Sequence, residues 1–235
     1  MDAQQAASAH EAAFPEIDAR PTDESSPFVT MWLHPRRTMR RISSTYWESW
    51  AIPIAMLGGA ASSVQEITPR QLTMGQSMGL EGYGLIGAMA GLSMLGSVLH
   101  VIVFGWLLAF TGDWLGGEAD HEAAKAAIGW SYLPVAAVLP IGVLIVILLG
   151  PDAIIYDAGV AAGNDSPLLA LAGLAFLIAL IWSVVLVVAS VREIQGFSTL
   201  RAIANLVLAA LLPFLAIGIL VAAGATLGFL VDQMG

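Results

Sequence analysis

The chain contains no cysteine in 235 residues, which excludes disulfides, thiolate metal sites, cysteine nucleophiles and cysteine-linked lipid anchors. Charge is scarce too, at 11% of residues, and Lys125 is the lone lysine beside eight arginines. Glycine-lysine phosphate loops, dinucleotide fingerprints and paired intramembrane carboxylates are missing, so no enzyme activity, cofactor or nucleic-acid partner is expected. What charge there is lies unevenly. Six of the 18 acids fall in the first 24 residues, in an Ala-, Ser-, Pro- and Gln-rich segment with too little apolar surface to fold. Residues 1–29 are therefore expected to be a disordered acidic tail. With neither a basic start nor an apolar core, that tail is not a signal peptide.

Apolar residues make up 57% of the chain and its mean hydropathy is +0.79, outside the range of an ordinary soluble domain. They gather in five runs, Trp50–Val64, Gly82–Phe110, Ala127–Gly150, Leu168–Val191 and Ala202–Val231. A bilayer core of about 30 Å needs about 20 apolar residues of helix, and hydrocarbon forces every backbone polar group to bond internally. The runs lack the period of two that marks barrel strands. An all-α, polytopic membrane protein follows, with five transmembrane helices in one bundle over residues 50–235.

The first run is the shortest and carries Pro53, Gly58 and Gly59, so the distribution of basic residues decides its reading. With five spans, Arg20, Arg36, Arg37, Arg40, Arg41, Lys125, Arg192 and Arg201 share one side against Arg70 alone; with four, the split is six against three. The positive-inside rule then favours five spans, a cytoplasmic amino terminus and an exoplasmic carboxyl terminus. Tyr46, Trp47 and Trp50 would form an aromatic belt at the inner interface. Arg36, Arg37, Arg40 and Arg41 directly precede the first run, and with Met31, Trp32, Leu33, Met39 and Ile42 as apolar anchors they fit an interfacial amphipathic segment over residues 30–49. The same cluster equally serves as a plain topology marker.

Within the runs, Pro134, Pro140 and Pro213 are expected to kink their helices. Gly84, Gly87, Gly91 and Gly96 with Ser97 form a small-residue surface suited to close helix approach, inside the bundle or in a dimer. Gly75-Gln76-Ser77-Met78-Gly79 matches a nucleophile elbow in letters only, because it falls in a loop of a helical protein. His121-Glu122 opens a zincin-like run, but Lys125 stands where the second histidine belongs. No metal site is expected there, and Asp113, Glu118, Asp120, His121 and Glu122 read as a solvated acidic face. His100, deep in the second run, and Asn205, near the start of the fifth, are the intramembrane polar residues that need partners.

Trp32-Leu33-His34-Pro35-Arg36-Arg37-Thr38 before the first run, Gly129-Trp130-Ser131-Tyr132-Leu133-Pro134 opening the third, Trp182 in the fourth, and Arg192-Glu193-Ile194-Gln195-Gly196-Phe197-Ser198-Thr199-Leu200-Arg201-Ala202 before the last occur in an order and spacing that resembles the Yip1-domain family over about residues 32–230. The resemblance implies five spans, an inside amino terminus and a membrane adaptor; eukaryotic relatives associate with small Rab GTPases. The Tyr-Gly-Pro-type motif of those members is missing, and the chain is more similar to prokaryotic members, which implies residence in the inner membrane. The expected function is a non-enzymatic scaffold that binds membrane lipids and a protein partner or a second copy of itself. Its candidate site for anionic lipid or an acidic partner is Arg36, Arg37, Arg40, Arg41, Arg192, Gln195 and Arg201. A small transporter or channel using a polar pathway around His100 is the competing reading.

Overall fold

A computed structural model describes residues 25–65, 67–154 and 166–234. The tail expected over residues 1–29 lies outside it up to residue 24, as does most of the acidic connection between Pro151 and Pro167. Ten α-helices are described: α1 Pro27–Leu33, α2 Pro35–Ile42, α3 Ala51–Ser63, α4 Pro69–Ser77, α5 Gly82–Trp114, α6 His121–Ser131, α7 Leu133–Ala137, α8 Leu139–Leu149, α9 Pro167–Ile194 and α10 Thr199–Met234. Among the described residues there is no strand.

Among the described residues four helical stretches are long and apolar enough to cross a membrane: α5, the rod α6–α8 from His121 to Leu149, α9, and Thr199–Gly224 of α10. This corrects the expected five. The first run yields α3, whose 13 residues reach only about 20 Å at 1.5 Å each. Its setting explains why the shortness is tolerated. Eight of those residues are buried, and α3 packs against α5, α6, α7 and α8, so most of its surface meets protein, while Leu57 stays exposed.

Glycines make that packing possible. A Cβ on Gly59 would lie 2.5 Å from the Ser93 carbonyl oxygen of α5, and one on Gly129 would lie 2.6 Å from the Ala51 carbonyl oxygen. Of the small-residue surface expected on α5, Ser97 is buried beside Gly59, whereas Cβ atoms on Gly84, Gly87, Gly91 and Gly96 would meet open space. Close approach within the bundle is made instead by glycines facing α3 and by Gly105, Gly112 and Gly117 near the far end of α5.

Prolines punctuate the rod as expected. Pro134 and Pro140 sit at the starts of α7 and α8, after breaks at Tyr132 and Val138, since a proline lacks the N–H that would continue the preceding helix. Pro213 stays inside α10.

The amino-terminal segment departs from one continuous amphipathic helix. His34, at φ −132° and ψ 57°, separates α1 from α2, because Pro35 disfavours helical geometry in the residue before it. Its apolar side packs on protein: Met31, Met39 and Ile42 are fully buried with Trp130, Ala126 and Leu186, while Leu33 remains exposed. Phe28 sits among the rings of Trp47, Trp50 and Trp130, and Trp130 Nε1–H donates to the Trp47 carbonyl at 3.1 Å.

The chain passes from one end of the bundle to the other between Tyr46 and Ile67. Tyr46–Trp50, a 3-10 turn, lies against α6, whereas the Ile67 N–H donates to Ile154 beyond α8 at 2.7 Å. At that second end Thr68 and Gln71 form a reciprocal capping box that starts α4. Gly75–Gly79 lies at the end of α4, where the Ser77 hydroxyl donates to the Met74 carbonyl, so the elbow-like match has none of the strand-to-helix geometry that the motif requires.

Candidate functional site

One end of the bundle gathers α1–α2, the 3-10 turn, the α5–α6 connection and the hairpin between α9 and α10. Gly196 makes that hairpin tight: at φ 66° it occupies the left-handed region open to glycine, and the next N–H, of Phe197, turns back to the Arg192 carbonyl at 3.0 Å. Glu193 then faces α2. Arg36 Nε meets its Oε2 at 3.1 Å, and Arg40 donates to Oε1 at 2.6 Å through Nε and 2.5 Å through Nη2. The two arginine side chains remain 51% and 71% exposed while that of Glu193 is only 9% exposed. A single, largely covered acid thus fixes the basic amino-terminal helix to the hairpin.

Beneath this clamp lies a second polar group. The Leu108 carbonyl of α5 accepts from Asn205 Nδ2 at 3.2 Å and Gln195 Nε2 at 3.4 Å. Asn205 Oδ1 accepts from the Thr111 hydroxyl at 2.6 Å, and Gln195 Oε1 from the Ala119 N–H at 3.1 Å. Gln195, Asn205 and Thr111 are almost wholly inaccessible. Gly112 and Gly117 leave the room for Gln195, since a Cβ at either would come within 2.2 Å of its amide.

Beside the hairpin, Asp120 caps α6 by accepting from the Ala123 N–H at 2.8 Å, and Lys125 donates to Glu122 at 2.6 Å. Burial holds the half-buried Glu48 carboxyl above the usual carboxylate range, and Asp120 and Glu122 add to the shift against the pull of Lys125. Among the described residues no three His, Asp or Glu side chains come together as a metal site.

The residues singled out in the sequence therefore separate. Arg36, Arg37, Arg40, Arg41, Arg192 and Arg201 all belong to this end of the bundle, with Arg41 donating to the Ser25 carbonyl and Arg201 lying over the Phe197 ring at 5.6 Å. Gln195, within the hairpin, buries its side-chain amide against the Leu108 carbonyl and the Ala119 N–H, tying the hairpin to α5 and the connection after it. Asn205 stitches α10 to α5. His100 lies elsewhere, at mid-height of α5, bonded through Nδ1 to the Tyr132 hydroxyl at 2.9 Å. Glu193, Tyr132 and Thr111 were missed; an acid inside an otherwise basic hairpin was the one signal that could have pointed to Glu193.

The profile of the Yip1 domain matches residues 29–223. No curated protein and no solved structure matches the chain. The match begins in α1, which the structure shows docked on the bundle, and runs through α10, so it takes in the basic end and every helix that packs beneath it. The chain is a multi-pass membrane protein and a member of the Yip1-domain family.

Proposed function

We propose that the protein is a non-enzymatic scaffold whose basic end binds anionic lipid headgroups or an acidic partner surface. The observation that carries this reading is the Arg36–Glu193–Arg40 clamp, which joins the arginines of α2 to Arg192 and Arg201 of the hairpin. Guanidinium groups so collected suit bidentate contacts to phosphate or carboxylate. The positive-inside tendency puts this end in the cytoplasm, against an anionic leaflet that attracts each basic residue by about 1 kcal/mol. A pathway for solute would need several polar groups along one cavity. Asn205, Gln195 and Thr111 are instead occupied in holding helices together.

The test compares Arg192→Gln/Arg201→Gln with Arg70→Gln at the opposite end. Native mass spectrometry of protein extracted in mild detergent should show the double variant retaining up to about 30-fold less phosphatidylglycerol or acidic partner, given about 1 kcal/mol for each of the two lost charge contacts. Retention should fall further as salt rises. Equal retention in both variants, at unchanged folding, would reduce the hairpin to a turn between helices.

A further inference from the structure

Away from the basic end, a recess of about 510 Å³ opens on the flank of the bundle, lined by α5, α6 and α9 with Leu206 of α10. That volume is ordinary for a small-molecule site, which is mostly apolar with a few placed polar groups. Phe104, Ile128, Val184 and Val187 supply apolar wall. The recess is open sideways, for Leu180 and Val184 on its rim are 47% and 56% exposed, so in a membrane it is reached from the acyl chains.

Its polar groups are of two kinds. The hydroxyls of Ser62 and Ser131 donate back to their own helices, at Gly58 and Ile128. By contrast the Ser183 hydroxyl is buried without a hydrogen-bond partner, and His100 uses only Nδ1, toward Tyr132, with its ring stacked on Phe104 at 5.1 Å. When the Tyr132 phenol donates to Nδ1, the proton of His100 sits on Nε2, so the histidine offers a donor in addition to the serine hydroxyl. His100 lies about 21 Å of helix from Trp114 and about 27 Å from Gly82, near mid-membrane. No charged side chain lines the recess, which rules against a charged headgroup at that depth.

We propose that the recess binds a neutral, carbonyl-bearing membrane lipid, whose carbonyl oxygen accepts from His100 Nε2–H and the Ser183 hydroxyl while its tail follows the apolar wall. Two sources share this chemistry, a quinone ring and a neutral glyceride ester. Mid-membrane height favours the quinone, because glyceride esters sit close to the headgroups. The inference is independent of what the basic end binds.

Thermal unfolding of the purified full chain in detergent micelles tests it, with decylubiquinone, dioleoylglycerol and phosphatidylglycerol as probes. A saturating specific ligand should raise the midpoint of the wild type by about 5 °C or more, and decylubiquinone is expected to do so. Dioleoylglycerol acting in its place would assign the ester as the source, and phosphatidylglycerol should have no effect. Ser183→Ala, a change that α-helices favour, and Tyr132→Phe should each weaken the apparent affinity about 3- to 10-fold. His100→Phe should abolish the shift. Equal stabilisation of the wild type and Ser183→Ala, or no shift with either neutral probe, would overturn the assignment.

Discussion

Asn205 carries two hydrogen bonds that join α10 to α5, and it is fully buried. Replacing it with Leu keeps the volume but leaves the Leu108 carbonyl one donor fewer and frees the Thr111 hydroxyl from its interhelical partner. Interhelical hydrogen bonds in membrane proteins contribute about 0.6–2 kcal/mol, so Asn205→Leu should lower the Tm in detergent by about 2–6 °C. An unchanged Tm would show that packing alone positions α10. Glu48 gives a pH-dependent counterpart. Its carboxyl is raised by burial and by Asp120 and Glu122, so just above the ordinary carboxylate range the folded chain binds more protons than the unfolded one. Stability from this group therefore rises as pH falls through that window and is lost as pH rises past the elevated folded value. Glu48→Gln should flatten the dependence and raise the Tm at neutral pH by no more than about 2 °C. A steeper dependence in the variant would contradict the assignment. Neither role is visible locally: the sequence presents Asn205 as a polar residue in need of a partner, but not which partner.

At the scale of elements, the amino-terminal helix pair is held by an apolar face and one acid. Met31, Met39 and Ile42 are fully buried, and Glu193 binds Arg36 and Arg40. Because both arginines are at least half exposed, solvent screening limits the charge contribution to about 1 kcal/mol. Glu193→Gln should thus raise the population of opened segment about fivefold, measured as faster trypsin cleavage between Arg36 and Arg41. An unchanged rate would mean that the apolar face holds the segment by itself. The breaks at Pro134 and Pro140 were legible in the sequence, since each proline lacks the N–H that would continue the preceding helix, whereas the break at His34 before Pro35 was not expected. The docking of α1–α2 was not. The same alternation of Arg with Met and Ile suits a lipid interface or a protein groove, and only the presence of Trp130, Ala126 and Leu186 opposite distinguishes them.

For the whole molecule, the remaining question is which end faces which compartment. The chain has no cysteine, so single introduced thiols report accessibility cleanly. Ser44→Cys and Ser198→Cys, at the basic end, should react with an impermeant reagent only after permeabilisation, and Thr73→Cys on α4 should react in intact cells. The reverse pattern would invert the proposed orientation and move the anionic-lipid reading to the wrong leaflet.

Composition and run length determined the membrane habitat, the helical class and the long spans, because hydrocarbon imposes internal hydrogen bonding and a minimum length on every lipid-facing helix. Length had marked the first run as short, and the distribution of basic residues then counted it as a fifth span. Length limits a helix that meets lipid, and α3 packs against other helices through the close contacts at Gly58, Gly59 and Gly129. Tertiary structure alone decided the polar partnerships, since Leu108 meets Gln195 and Asn205 across 87 and 97 residues, and Arg36 meets Glu193 across 157. Apolar burial is set by a segment's own residues, whereas a hydrogen bond between helices exists only once their packing has brought donor and acceptor within about 3 Å.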